Sequence, residues 1–288
     1  MISRMVPTKI TGPLNAVLAR LPESAADHLV LGYRMVRAIA VSNVSDRAMT
    51  LAAQAFTSIL PVLLLLTTIP GDGVLDRTIM MFSLDGLVLG HPDSPGSYAS
   101  FGIAGAFMTI VSATSLARAL DRMYVGVWGV RSTGLRGWWR WLTVVAVLAL
   151  ATTAQAVVVL DYNEDGGRMV FALIWTFVIW MLAWTAVPRI LTVRQLAAPD
   201  LWSIGALAGA GLTVFMAITQ IGYAQVFHSA RASFGSLGMV FAAIGWLFVF
   251  TAIVVVATVL AQVIRTPNDS DDALVEEPVE LRSDYASG

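Results

Sequence analysis

Six stretches of this chain run for twenty residues or more without a charged side chain: 48–71, 94–117, 141–160, 169–188, 201–230 and 232–264. A hydrocarbon layer of roughly 30 Å is crossed by about 20 helical residues, and a helix satisfies its own backbone groups where no water can. Each run therefore reads as a transmembrane helix. Composition agrees, with 57% hydrophobic and 13% charged residues over the 288, against about half and a quarter in soluble domains. The expected fold class is all-α, a polytopic membrane protein of six transmembrane helices with interfacial helices.

Basic residues set the orientation. Of the 18 Lys and Arg, all but Arg77, Arg168 and Arg231 precede the first run, lie between the second and third or the fourth and fifth, or follow the sixth. Both termini are thus expected in the cytoplasm. Residues 1–26 read as a disordered cytosolic lead with Pro7, Pro13 and Pro22 and no signal-peptide core. Residues 27–45 read as an amphipathic helix, lying on the inner membrane surface or packed beneath the bundle, since one apolar face serves both. Residues 46–264 form the transmembrane domain, and 265–288 an acidic, disordered tail. Between the first two runs, "RTIMMFSLDGLVLG" suggests an outward interfacial helix, and the short "DYNEDGG" makes runs three and four a tight hairpin.

Much chemistry is excluded. There is no cysteine, the histidines His28, His91 and His228 are scattered, and Lys9 is the sole lysine. No thiolate or histidine metal site, P-loop or "GxSxG" motif is present, so no metal, cofactor or catalytic residue is assigned. The net charge of −1, with its basic residues dispersed, argues against nucleic acid as a partner.

Polar residues inside the runs are the candidates for a pathway, because a hydrogen-bonding group in hydrocarbon needs a partner. Gln54, Thr57, Ser58 and Pro61 recur at three- or four-residue steps, and so share one helical face. Pro61 should also leave the Thr57 carbonyl without its helical donor. In "SATSLARALDRMY", Ser112 and Ser115 continue toward Arg118, Asp121 and Arg122. These arginines either snorkel to the headgroups, pair with Asp121, or hold an anionic headgroup. Gln155 is a further polar group. For all of these, helix–helix hydrogen bonding competes with a lining role.

Glycine is spent where it weakens a helix. Gly235, Gly238, Ala242 and Gly245 lie on one side of the last run, and Gly205 and Gly209 in "GALAGAG" offer a counterpart. Small faces allow close packing, so the fifth and sixth helices are expected to cross tightly through them. Two alternatives are that the glycines are hinges, or that Gly205 and Gly209 meet a second copy in a homo-oligomer. The run 232–264 would reach about 50 Å as a continuous helix, so its outer end, at "HSARASFG", is expected to unwind.

"FGSLGMVFAAIGWLFVFTAIVVVATVLAQ" resembles the last span of the YihY / virulence factor BrkB family of bacterial inner-membrane proteins, formerly misnamed ribonuclease BN. "SDRAMTLAAQAFTSILPVLLLL" is similar to its first span at Asp46, Arg47, Ser58 and Pro61, and "SATSLARALDRMYVGVWGVRS" to its second span and basic loop. The likeness covers about residues 40–264 and departs from the family at Phe234, at Ala53 and Gln54, and at Val259, where the family has glutamate. It implies six spans, cytosolic termini and a multi-pass place in the bacterial inner membrane. It also implies a transporter or flippase-like role, moving lipids or other amphiphiles in envelope biogenesis. Membrane lipids, including anionic headgroups, would be the partners. The alternative is a non-transporting scaffold that recruits envelope proteins.

Overall fold

The computed structural model describes residues 23–66, 95–132, 137–162, 169–193 and 195–265. Among them every regular element is an α-helix: α1 (Glu23–Val41), α2 (Val44–Leu66), α3 (Pro95–Trp128), α4 (Trp138–Tyr162), α5 (Met169–Leu191) and α6 (Ala198–Arg265). Three stretches are long and apolar enough to cross a membrane: Val170–Leu191 in α5, and Ala198–Gln220 and Val240–Arg265 in α6. The other three uncharged runs are carried by α2, α3 and α4. The N-terminal lead as far as residue 22, the first outer connection, "NEDGG" of the third outer loop and the acidic tail lie outside the described residues.

The first helix begins at Glu23 rather than at 27 and stops at Val41. Asn43 then takes a left-handed backbone (φ 49°), a conformation asparagine tolerates better than most residues. The chain re-enters a helix at Val44, with Asp46 in its first turn, where a negative charge suits the helix dipole. Ala38 and Val44 pack against the core, and α1 packs along α6.

The fifth and sixth runs form one helix folded back on itself. Gly235 alone leaves the helical region (φ 61°, ψ −139°), a conformation in practice open only to glycine. The break falls on this glycine itself, and "HSARASF" ahead of it stays helical, because one residue suffices to reverse direction. The limbs then run antiparallel: Arg265 Nε donates to Asp200 Oδ1 at 2.9 Å, Gly211 faces Ile253, and the Phe215 and Trp246 rings lie 5.4 Å apart.

The two limbs do meet, but not through the expected ridges. A side chain on Gly205 would overlap the Thr185 hydroxyl and the Met181 carbonyl, and one on Gly209 would press the Met181 backbone. Both glycines therefore seat α5 of the same chain, and not the last run or a second copy. A side chain on Gly238 would strike the Ala230 carbonyl across the reversal, whereas Gly235 and Gly245 have open space around their Cα atoms. The physical reason is geometric: Gly245 is exposed, and the close approaches between the limbs fall at Gly238 beside the reversal and at Gly211 against Ile253.

Buried residues gather at one end of the bundle. They come from the start of α2 (Ala48, Leu51), the end of α3 (Leu120, Tyr124), the start of α4 (Val144), the end of α5 (Val187, Leu191) and both ends of α6 (Ile204, Val254). Toward the other end Phe107, Val157, Phe171, Phe234 and Phe241 are exposed. In lipid this packing is held by fit and hydrogen bonds rather than by water exclusion. One such bond runs from the buried Thr251 hydroxyl to the Ala48 carbonyl at 2.9 Å, joining the last limb to α2.

Candidate functional site

The helix α3 does not stop at Arg118. It continues to Trp128, so Ser115, Arg118 and Arg122 stand at steps of three and four on one helical face. At Ser115 this face meets α2. Ser115 donates to the Gln54 side-chain oxygen at 2.6 Å, and one turn away Ser112 reaches the Thr57 carbonyl at 3.4 Å. That carbonyl is the one Pro61 deprives of its helical donor, so the second helix supplies what the proline removed.

Below these bonds lies a cavity of about 430 Å³. Gln54 and Ser115 form its inner wall, with Arg118, Asp121 and Arg122 beneath them; Ser132 and Trp141 close it from the loop and from α4. Arg118 sits over the Trp141 ring at 5.6 Å, a cation–π contact, and its Nε donates to the Thr114 carbonyl at 3.3 Å. Asp121 is buried and accepts from the Ser132 hydroxyl at 2.5 Å. Asp121 thus holds the Ser132 hydroxyl, and Arg118 sits on an aromatic ring. Arg118 and Arg122 are both exposed, which leaves the cavity open on their side. Trp141 is only 6% exposed and its indole N–H is buried without a partner.

Other candidates fall elsewhere. Ser58 bonds the Gln54 carbonyl within its own helix at 2.9 Å, and the exposed Thr57 does the same at 3.0 Å. Neither lines the cavity, nor does Ser112. Pro61 is helical, but its side chain lies outside the described residues. Gln155 is not on this pathway: its amide donates to Thr176 at 3.1 Å, buried between α4 and α5. It is helix–helix glue.

Sequence reasoning missed Ser132 and Trp141, which come to the cavity from beyond the helix that carries the arginines. It also missed a clasp between two loops at this end. The Gln195 side chain accepts from the Arg131 backbone N–H at 2.8 Å and returns an amide hydrogen to the Arg131 carbonyl at 3.0 Å. No pattern in the linear order marks these pairs.

Among the described residues, no group of three His, Cys, Asp or Glu could hold a metal ion. The Ser132–Asp121 contact brings a hydroxyl against a carboxylate at the floor of the cavity. The cavity can offer charge and donors to an anion that enters from its open side. Compared with known proteins, the chain matches no family model, no curated protein and no solved structure.

Proposed function

We propose that this is a six-span protein of the bacterial inner membrane, both termini cytoplasmic, that moves lipids or other amphiphiles through a headgroup site between α2 and α3. The cavity carries the reading. Two arginines stand at its open side, and a polar strip of Ser115 and Gln54 leads from them into the bundle. That is what a charged headgroup with an acyl tail in lipid requires. The resemblance to the YihY / BrkB family supports the same role. The Asp200–Arg265 pair and, separately, the Arg131–Gln195 pair lie at the cavity's end of the bundle, where the basic residues concentrate, in keeping with a cytosolic face. No covalent step and no energy-coupling domain belong to the proposal.

The test is transbilayer movement. Full-length protein is reconstituted into liposomes carrying a fluorescent lipid in one leaflet, with and without an ion gradient, and the outer label is quenched chemically. Protein-dependent redistribution of intact lipid, slowed in R118Q/R122Q, is the expected result. Lipid that stays in its original leaflet under both conditions defeats the transport reading and favours the scaffold. Recovery of a cleaved lipid would instead point to a hydrolase.

A further inference from the structure

Exposed side chains change character in the same order along α4, α5 and α6 as each leaves the packed end, and the order is that of a lipid interface. This inference rests on the membrane reading above. Of the four exposed tryptophans among the described residues, three lie at the packed end. Trp138 and Trp139 open α4, and Trp202 is the fifth residue of α6. Charged groups stand with them, Arg140 and Asp200, and Arg189 is exposed at the foot of α5. Further along, the exposed positions are aliphatic: Leu150 on α4, Leu182 on α5 and Val214 on α6. We propose that Trp138, Trp139 and Trp202, with Arg140, form a collar seated in the headgroup layer of the leaflet at that end, and that the cavity therefore fills sideways from this leaflet and not from water.

An indole joins a wide apolar ring to one N–H donor, so it is best placed where acyl chains meet ester and phosphate oxygens. In water the rings would stay hydrated at a cost, and in the hydrocarbon core their N–H groups would lack acceptors. The Arg140 guanidinium lies over the Trp139 ring at 5.2 Å, a cation–π contact that keeps a positive charge beside the collar, where lipid phosphates lie. The depth of the cavity follows from the same helix. Trp141 is three residues beyond Trp138 in α4, about 4.5 Å further into the bilayer at 1.5 Å per residue. Arg118 is exposed and sits over the Trp141 ring. Its guanidinium is thus on the membrane side of the collar, where the open side of the cavity meets lipid.

The experiment reads depth and needs no lipid movement, so it can succeed where the transport assay fails, and the reverse. Full-length protein is reconstituted into vesicles of phosphatidylethanolamine and phosphatidylglycerol whose acyl chains carry bromine either near the ester end or near the methyl end. Trp138→Phe, Trp139→Phe and Trp202→Phe each remove one exposed indole and keep a ring in its place, so the emission lost belongs to that residue. In each case the lost emission should be quenched more strongly by bromine near the ester end than by bromine near the methyl end or by aqueous acrylamide. The cysteine-free chain also accepts single nitroxides at Arg118→Cys and at Val193→Cys, the latter exposed in the joint between α5 and α6. Relaxation at the first should come more from oxygen, which concentrates in lipid, and at the second more from a water-soluble nickel complex.

Indoles quenched chiefly by acrylamide would lie in water, and indoles quenched chiefly by the deep bromines would lie in the hydrocarbon core. Indoles shielded from all three quenchers would be covered by protein, either a second copy or another chain. Each of these outcomes overturns the collar. A nitroxide at position 118 relaxed by nickel as strongly as the one at 193 would open the cavity to water and overturn the sideways filling.

Discussion

Gly205 and Gly245 are alike on paper, each a small residue in an uncharged helix, yet their surroundings are opposite. Gly205 is pressed against Thr185 and the Met181 carbonyl of α5, while Gly245 meets nothing within 4 Å. Gly205→Leu should therefore cost about 1–3 kcal/mol or more of stability, as overpacking does. Gly245→Ala should instead stabilise by about 0.5–1 kcal/mol through lost backbone freedom. Unfolding by a denaturing detergent, followed by circular dichroism, distinguishes the two signs. The four-residue spacing of Gly205 and Gly209 announces that some backbone approaches; it is silent on which, because α4, α5 and the last limb are equally apolar. The arginine face of α3 was legible for a similar reason, and its seat on Trp141 was not. An indole twenty-three residues from Arg118 and in another helix leaves no periodic trace.

At the level of elements, the reversal at Gly235 concentrates the fold's dependence on one set of torsions. There is room for a methyl group there, so Gly235→Ala tests the backbone conformation alone, at a cost of about 1–3 kcal/mol. The cysteine-free chain allows clean spin labelling. Labels at the exposed Trp202 and Ile264, beside the Asp200–Arg265 bridge, should give one short distance in the parent and a longer or broadened one in G235A. Helices of this length could be read directly from uncharged runs, since hydrocarbon leaves the backbone no other partner. The point of return could not be fixed so closely: glycines 235, 238 and 245 look equivalent until a conformation with positive φ singles out the first.

For the molecule as a whole, the packed half is the one that carries the cavity, and the opposite half exposes Phe234, Leu237 and Phe241. If the packed end faces the cytoplasm as proposed, a cysteine at the exposed Val193 should react with an impermeant maleimide only after the membrane is opened. One at Ser229, exposed at the other end, should react in intact cells. The reverse pattern would invert the topology and remove the charge argument for the site. The arginine distribution is what sets the expected orientation. The unequal tightness of the two halves did not show, because apolar side chains face lipid and core alike.

The two bonds between Gln195 and the Arg131 backbone place the foot of α3 and the joint between α5 and α6 under one latch. The wall bearing Arg118 and Arg122 is consequently not a flap that can swing by itself. To widen the entrance, the latch must open, at the expense of two exposed hydrogen bonds, or the C-terminal hairpin must travel with α3 as a single lever.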